Sequence, residues 1–366
     1  MVDVLVILFG GFLGYIIGRM GQKPTTNDES LQNQIRIGFI RLEKNARDKM
    51  SMSPREELPE PSVLISTRVI STAVHSFFAT NQLSQLQDQQ NPLTALEILR
   101  RLSLLGPGGV SSERASFSVR DVHYSSFGKI CAVRTPEGQS VGLTNYMALY
   151  ARVNEYGFLE TPYFRLEKSD KGVKVTNEIV YLAAYDEDQV YITDQSVSMD
   201  KDGYITDKQV PLRKAGDPIL GDVTLADYIE VTPKQLVGAI AGIIPFLQND
   251  DVTRALMGTQ QMSQAVPLLK NQSPIVGTGI EAELARNTNA LILAEDDGEV
   301  TYADGQKVVV SYKTKGKATY YSKKFEQTNS KTCFNQYTRV TTGQQIKKDS
   351  IRIIVFIITK QILSPS

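Results

Sequence analysis

The chain of 366 residues has no Trp, two His, two Cys and no surplus of charge of either sign. Each shortage excludes something. Cys131 and Cys333 lie far apart with no CxxC or Cys/His neighbourhood, which argues against a structural zinc site and for two small buried thiols in a reducing compartment. His123 has no Ser/Asp pattern near it that would build a catalytic triad, so a structural hydrogen bond is expected of it. Forty basic residues balance forty acidic ones, so no overall positive field advertises a polyanion partner. A local basic lining would still suffice, because salt screens charges beyond about 10 Å.

A hydrophobic share of 41 % beside 22 % charged residues is that of a folded protein, and the length predicts two or three folding units. Residues 4–18 are apolar or Gly throughout and are followed by Arg19 and Lys23. At about 1.5 Å per residue they reach about 22 Å, short of the roughly 30 Å hydrocarbon layer, so they form a marginal membrane span. Gly10, Gly14 and Gly18 give it one smooth face. Two readings stand: a short N-terminal membrane helix over residues 1–22 that leaves the remainder cytoplasmic, or a buried or artefactual apolar terminus.

A polar linker is expected over residues 22–31, then a basic amphipathic helix over 35–52, weakened in its first turn by Gly38. Pro54, Pro59 and Pro61 break the chain before a second helix that begins between Ser62 and Arg68. Short strands and loops are predicted over 117–164, and β-branched, alternating runs over 173–191 and 203–212. Residues 233–244 read as a helix stopped by Pro245, and strands are expected at 290–293 and 307–311.

The most suggestive chemistry lies at residues 82–109. Gln82, Gln85, Asp88, Gln89 and Asn91 precede Arg100, Arg101 and Ser103, then Gly106, Gly108 and Gly109. Guanidinium groups supply fixed donors for phosphate, amides both donate and accept, and Gly lets a ligand approach the backbone. A solvated polar helix followed by a tight turn would have the same composition.

These residues resemble a known family in ordered words. Gln82-Leu83-Ser84-Gln85-Leu86, Asp88-Gln89, Asn91-Pro92-Leu93, Arg100-Arg101-Leu102-Ser103 and Leu105-Gly106-Pro107-Gly108-Gly109 resemble the antibiotic-sensitive wall and fork of the bacterial RNA polymerase beta-subunit family. Glu113-Arg114-Ala115, Thr135-Pro136-Glu137-Gly138, Arg254-Ala255-Leu256-Met257-Gly258 and Gln264-Ala265-Val266-Pro267 continue the pattern, which runs from about residue 35 to 349. One tripeptide would be weak support, but many words in fixed order are specific.

The resemblance implies a mixed α+β multidomain fragment. Its parts are residues 1–22, a hydrophobic membrane segment; 23–162, a helical and loop-rich fork with an antibiotic-pocket-like region; 163–230, a β-rich external domain; 231–349, an incomplete β-rich hybrid-binding domain; and 350–366, an off-pattern tail. It implies a contribution to the DNA–RNA hybrid channel and the nucleotide-facing wall. Nucleic-acid contacts then fall to Gln85, Arg101, Ser103, Glu137 and Gln264, nucleotide phosphate to Arg254, and the antibiotic-pocket-like wall to Gln85, Asp88, Ile98, Arg101 and Ser103. No catalytic or metal-ligating residue is assigned to this chain, and Mg2+ is expected on a partner subunit. Implied partners are template DNA, RNA transcript, nucleoside triphosphates, the alpha and beta-prime subunits, a sigma factor and a missing C-terminal beta fragment. The alternative is a membrane-tethered, non-catalytic polymerase-like module.

Four departures from the family pattern stand out. Glu97-Ile98-Leu99 replaces a Thr-His-Lys or Ser-His-Lys segment, Arg134 stands where an acid is usual, Ser140 where Asn is usual, and Ser263 where Arg is usual. Loss of Arg at 263 is expected to remove a phosphate contact. Alkyl side chains at 98 and 99 remove polar contacts on the face where rifamycin-class inhibitors bind in the family. An assembly containing this chain should therefore bind rifamycins weakly in a fluorescence titration, and submicromolar affinity would contradict that expectation.

Overall fold

The computed structural model describes residues 27–52, 60–82, 84–106, 108–268, 272–288, 290–348 and 354–359, with the side chains of 27–30 and 354–359 outside the description. The apolar segment 4–18 lies outside the described residues, as does the 350–366 tail apart from one strand. The fold is mixed helix and strand, in several packed units.

The chain opens with α1 (Asn27–Met52), α2 (Pro61–Leu64) and α3 (Arg68–Thr80). Helix α1 begins inside the stretch expected to be a linker, since a polar sequence suits a helix whose outer faces meet water. Gly38, expected to weaken it, is instead buried against α3. A Cβ there would lie 3.4 Å from Ile70 Cα and 3.5 Å from Ala73 Cβ, so the missing side chain sets how close the two helices pack.

Helix α4 (Pro92–Leu99) follows, with β1 (Arg101–Ser103), α5 (Phe117–Arg120) and β2 (Thr144–Tyr146). Antiparallel pairing sets Arg101 opposite Tyr146. The next unit contains β3 (Arg152–Val153), β4 (Leu159–Ser169), β5 (Gly172–Ala183), α6 (Ala184–Glu187), β6 (Ile192–Thr193), β7 (Gln209–Lys214), β8 (Asp217–Asp222) and β9 (Tyr228–Glu230). These strands form one sheet in the order β3-β4-β9-β6-β7-β8, with β5 on the other edge of β4. All pairings are antiparallel except β6 with β9. Val173, Val210, Leu212, Ala226 and Ile229 fill its core.

Residues 233–244 are not the helix expected from their apolar spacing. They make two 3-10 turns, Pro233–Leu236 and Ala241–Ile243. The carbonyls of Leu236 and Val237, which a helix would use internally, accept instead from the amides of Ala132 and Leu149. Long-range pairing has overridden local propensity.

Helices α7 (Val252–Gln264) and α8 (Glu281–Asn287) lead into β10 (Gly298–Ala303), β11 (Lys307–Tyr312), β12 (Gly316–Tyr321), β13 (Glu326–Gln327), β14 (Cys333–Thr338), β15 (Gln345–Ile346) and β16 (Ile354–Thr359). Strand β11 is the one expected near 307–311, with Val308, Val310 and Tyr312 alternating inward. No strand forms over 290–293. Its apolar residues serve packing instead, with Ala290 buried and Ile292 against the Val300–Val308 core. Cys131 is buried as expected, whereas Cys333 is half-buried.

A buried ionic network fastens the segment before β2 to the large sheet. Lys129 is wholly buried and its Nζ donates to Glu187 Oε1 at 2.5 Å, which also accepts from Tyr163 Oη at 3.0 Å. Arg213 Nη2 donates to Tyr163 Oη at 3.0 Å, lies 3.4 Å by its other nitrogen from Glu187, and covers the Phe127 ring at 3.9 Å. Glu230 stands at the margin, 4.0 Å from Arg213. Burial drives its pKa up to about 7, with Arg213 opposing and the carboxylates of Asp194 and Glu187 adding to the rise.

The folded state therefore holds a proton on Glu230 that the unfolded chain has released above its ordinary value of 4.5. Stability should fall as pH rises from about 4.5 to about 7 and then level off, a loss of roughly 3 kcal/mol. Urea unfolding of the full chain across this window should show that slope, and Glu230→Gln should flatten it. An unchanged slope in the variant would sink the assignment.

Candidate nucleic-acid interface

The local order begins at Asn91. Its Oδ1 accepts from Thr94 N at 2.8 Å, capping the start of α4, where Pro92 supplies a preset φ. The other end of the same carboxamide closes a second helix. Asn91 Nδ2 donates to the carbonyls of Met262, Ser263 and Ala265 at 3.0, 3.2 and 2.9 Å, and Thr94 Oγ1 donates to Ser263 O at 2.6 Å. Carbonyls at the end of α7 that lack helical partners are thereby satisfied by the first turn of α4.

Just before Asn91, the strap 87–90 is held by a turn far along the chain. Ser330 Oγ donates to Asp88 Oδ1 at 2.9 Å and accepts from Gln89 N at 3.1 Å; Thr332 Oγ1 donates to Gln89 O at 3.1 Å. Asn329 N reaches Gln89 Oε1 at 3.2 Å. Gln89 and Asp88, which the sequence offers as recognition groups, thus spend part of their hydrogen-bonding capacity on the fold.

Between α4, β1, β2 and α7 lies a cavity of about 430 Å3. It brings together four of the expected residues, Asp88, Ile98, Arg101 and Gln264, with Glu97, Arg134, Tyr146, Gln260 and Ser263. Arg101 is half-buried on β1 and Gln264 is exposed at the end of α7. Gln85, Ser103 and Glu137 are exposed but do not line this cavity. Arg254 is exposed in the first turn of α7, ten residues before Gln264, or about 15 Å along the helix. Its Nη1 approaches only Met257 Sδ, at 3.6 Å, among the contacts described for it.

The two adjacent arginines have separate fates. Arg100 turns inward and donates from Nη2 to the carbonyls of Ala148, Leu149 and Ala151, at 2.5, 3.2 and 3.3 Å. It is a structural anchor, which leaves Arg101 for the cavity. Glu137 sits on the loop 135–142, which Arg120 pins by donating from Nη1 to Gln139 O at 2.7 Å and Val141 O at 2.8 Å. Gly142, at φ 73°, permits that approach, since a Cβ there would fall 2.5 Å from Arg120 O.

Ser263 is buried and lines the cavity. Its Oγ accepts from Arg134 Nη2 at 2.8 Å, and Arg134 makes a two-pronged pair with Glu97, Nε to Oε1 at 3.1 Å and Nη2 to Oε2 at 3.0 Å. Arg134 Nη1 also donates to Gln260 Oε1, and its guanidinium carbon stands 5.0 Å from the centre of the Tyr146 ring. Burial pushes the Glu97 carboxyl up from its ordinary value, with Arg134 opposing. Thr94, Tyr146, Gln260 and the 328–331 segment were not singled out from sequence, and Asn91 was named there as a polar recognition group, not as the joint of two helices. Only Asn91 had a local signal, an N-cap residue ahead of Pro.

His123 has a structural role: its Nδ1 lies 2.8 Å from Ser125 Oγ and caps the 3-10 turn Tyr124–Ser126. Among the described residues no group of three or more His, Cys, Asp or Glu side chains converges to hold a metal ion.

The family described as RNA polymerase Rpb2, domain 3 matches residues 85–153, and that described as RNA polymerase beta subunit external 1 domain matches 163–232. The chain is 45 % identical over 323 residues to the DNA-directed RNA polymerase subunit beta of Caldicellulosiruptor bescii, covering 88 % of this chain and 26 % of that protein. The corresponding subunit of Acetivibrio thermocellus is 44 % identical over the same shares, and that of Syntrophomonas wolfei is 43 % identical over 337 residues, 92 % of this chain and 30 % of the relative. The chain thus spans between about a quarter and a third of the length of these relatives.

Proposed function

We propose that this chain, which matches an internal portion of the bacterial RNA polymerase beta subunit, builds one wall of the DNA–RNA hybrid channel and the nucleotide-facing surface beside it. The observation that carries the reading is the meeting of Arg101 and Gln264 at one cavity, with Arg254 exposed on the helix that ends at Gln264. A half-buried guanidinium held by β1–β2 pairing offers directed donors to a phosphate or ribose, while the amide of Gln264 can donate and accept. Ser103, Gln85 and Glu137 extend the polar surface outside the cavity.

Arg254 supplies a permanent charge near an incoming triphosphate. Phosphoryl transfer also needs positioned divalent metal, which in this reading comes from Mg2+ on a partner subunit. The chain acts as a nucleotidyltransferase component only in an assembly with alpha, beta-prime and the rest of a beta subunit, on template DNA, transcript RNA and nucleoside triphosphates, with sigma factor for initiation. The β-rich unit around 163–230 is assigned to external architecture and partner contact, and the whole assembly is cytoplasmic.

A membrane-tethered module is the second reading. It rests on residues 4–18 and on Pro61–Thr80, which is apolar and long enough to cross a bilayer by composition alone. That stretch is broken between α2 and α3, and buries Ala73 and Phe77.

Tagged full chain co-expressed with alpha, beta-prime and the remaining segments of a beta subunit should purify as a complex. In that complex Arg254→Ala should raise the KM for nucleoside triphosphate by about 10- to 100-fold, the worth of a charged hydrogen bond. A chain that stays monomeric beside excess partners, or an unchanged KM, would overturn the reading.

A further inference from the structure

We infer that Arg134 is a positioning residue, the centre of a transposed charge clamp that sets the loop carrying Glu137 and the end of α7 against α4. Glu97, Arg134 and Ser263 are three of the positions at which the chain departs from the pattern it resembles, and they are far apart in sequence. In the fold they touch. Arg134 bonds both oxygens of Glu97 and the hydroxyl of Ser263, and Ser263 Oγ lies 3.4 Å from Glu97 Oε2.

The resemblance implies an acid at 134, a guanidinium at 263 and a neutral hydroxyl at 97 in the family. This chain puts a guanidinium at 134, a hydroxyl at 263 and an acid at 97. The formal charge of the trio is zero either way. The cation has moved from helix to loop and the acid from loop to helix, while the hydroxyl has changed helices. Independent drift would leave buried charges unpaired, at a cost that selection against misfolding would remove. The three substitutions act as one unit.

The location gives the unit its consequence. Arg101 follows Glu97 by four residues, Glu137 follows Arg134 by three, and Gln264 follows Ser263 directly. Each arm of the clamp therefore carries one residue of the proposed nucleic-acid surface. The Glu97 and Arg134 side chains are each only 6 % exposed, so their geometry is set by one another and not by solvent. This role rests on the hybrid-channel reading for its effect on nucleic acid, but not for its effect on the loop.

Five variants of the full chain test it: Glu97→Thr, Arg134→Glu, Ser263→Arg, the apolar pair Glu97→Met with Arg134→Met, and the triple change Glu97→Thr, Arg134→Glu, Ser263→Arg. Hydrogen exchange at amides 135–142 and 260–264 should quicken about tenfold or more in each single variant and in the apolar pair, and return to within about threefold of the parent in the triple. The apolar pair should keep its urea midpoint, because well-packed apolar groups replace a buried ion pair without loss of stability. That separates positioning from mere stability. Exchange in the triple variant equal to the product of its three single changes, or exchange in the apolar pair equal to the parent, would overturn the clamp.

Affinity of the assembled complex for a labelled RNA–DNA hybrid oligonucleotide should fall in the single variants and recover in the triple. A parent complex that binds no hybrid would remove the channel reading, while the exchange data would still decide the clamp.

Discussion

The carboxamide of Asn91 begins one helix and ends another. Its oxygen caps α4, and its nitrogen gathers three carbonyls at the end of α7. An amide is the only uncharged side-chain group with both a strong acceptor and two donors on one rigid plane, so neither Ser nor Asp could serve both ends. Everything on the cavity side inherits its alignment from this joint. Arg101 leaves α4 into β1, Gln264 closes α7, and Arg254 stands at the far end of the same helix.

The wall is thus assembled from chain segments that are remote in sequence. The 328–332 turn bonds the strap 87–90, the 236–237 carbonyls serve residues 132 and 149, and Arg120 pins the loop of Glu137. Among the described residues ion pairs are buried at two places, Arg134 with Glu97 and Lys129 with Glu187. Buried pairs add little net stability but tolerate few alternative arrangements, so they fix geometry more than they deepen the fold.

Where a signal was local, the sequence was readable. Alternation at Val308, Val310 and Tyr312 marks β11. The ordered words of the family pattern mark the region that matches it. Long-range competition was not readable. Residues 233–244 have helical spacing, yet two of their carbonyls accept from the distant amides of Ala132 and Leu149, and 290–293 look like a strand but pack as a loop. Arg100 and Arg101 are indistinguishable as letters; only the fold turns one inward. The departures at 97, 134 and 263 were visible singly, and their contact with each other was not.

The order of strands in the large sheet also bears on how the chain comes off the ribosome. Strand β9 lies between β4 and β6, and its pairing with β6 is the one parallel contact there. Strands β4 and β5 can close as a hairpin at once, but on the opposite edge of β4, where β3 covers only Leu159 and Glu160, Tyr163 to Arg165 wait for residues 228–230, about 60 positions later, or roughly 3–12 s of synthesis. Through that interval the nascent sheet offers an open edge to any other extended segment. A pause in translation between β5 and β9 would lengthen the exposure, so codon choice over residues 184–227 carries a folding burden that the amino-acid sequence alone does not display.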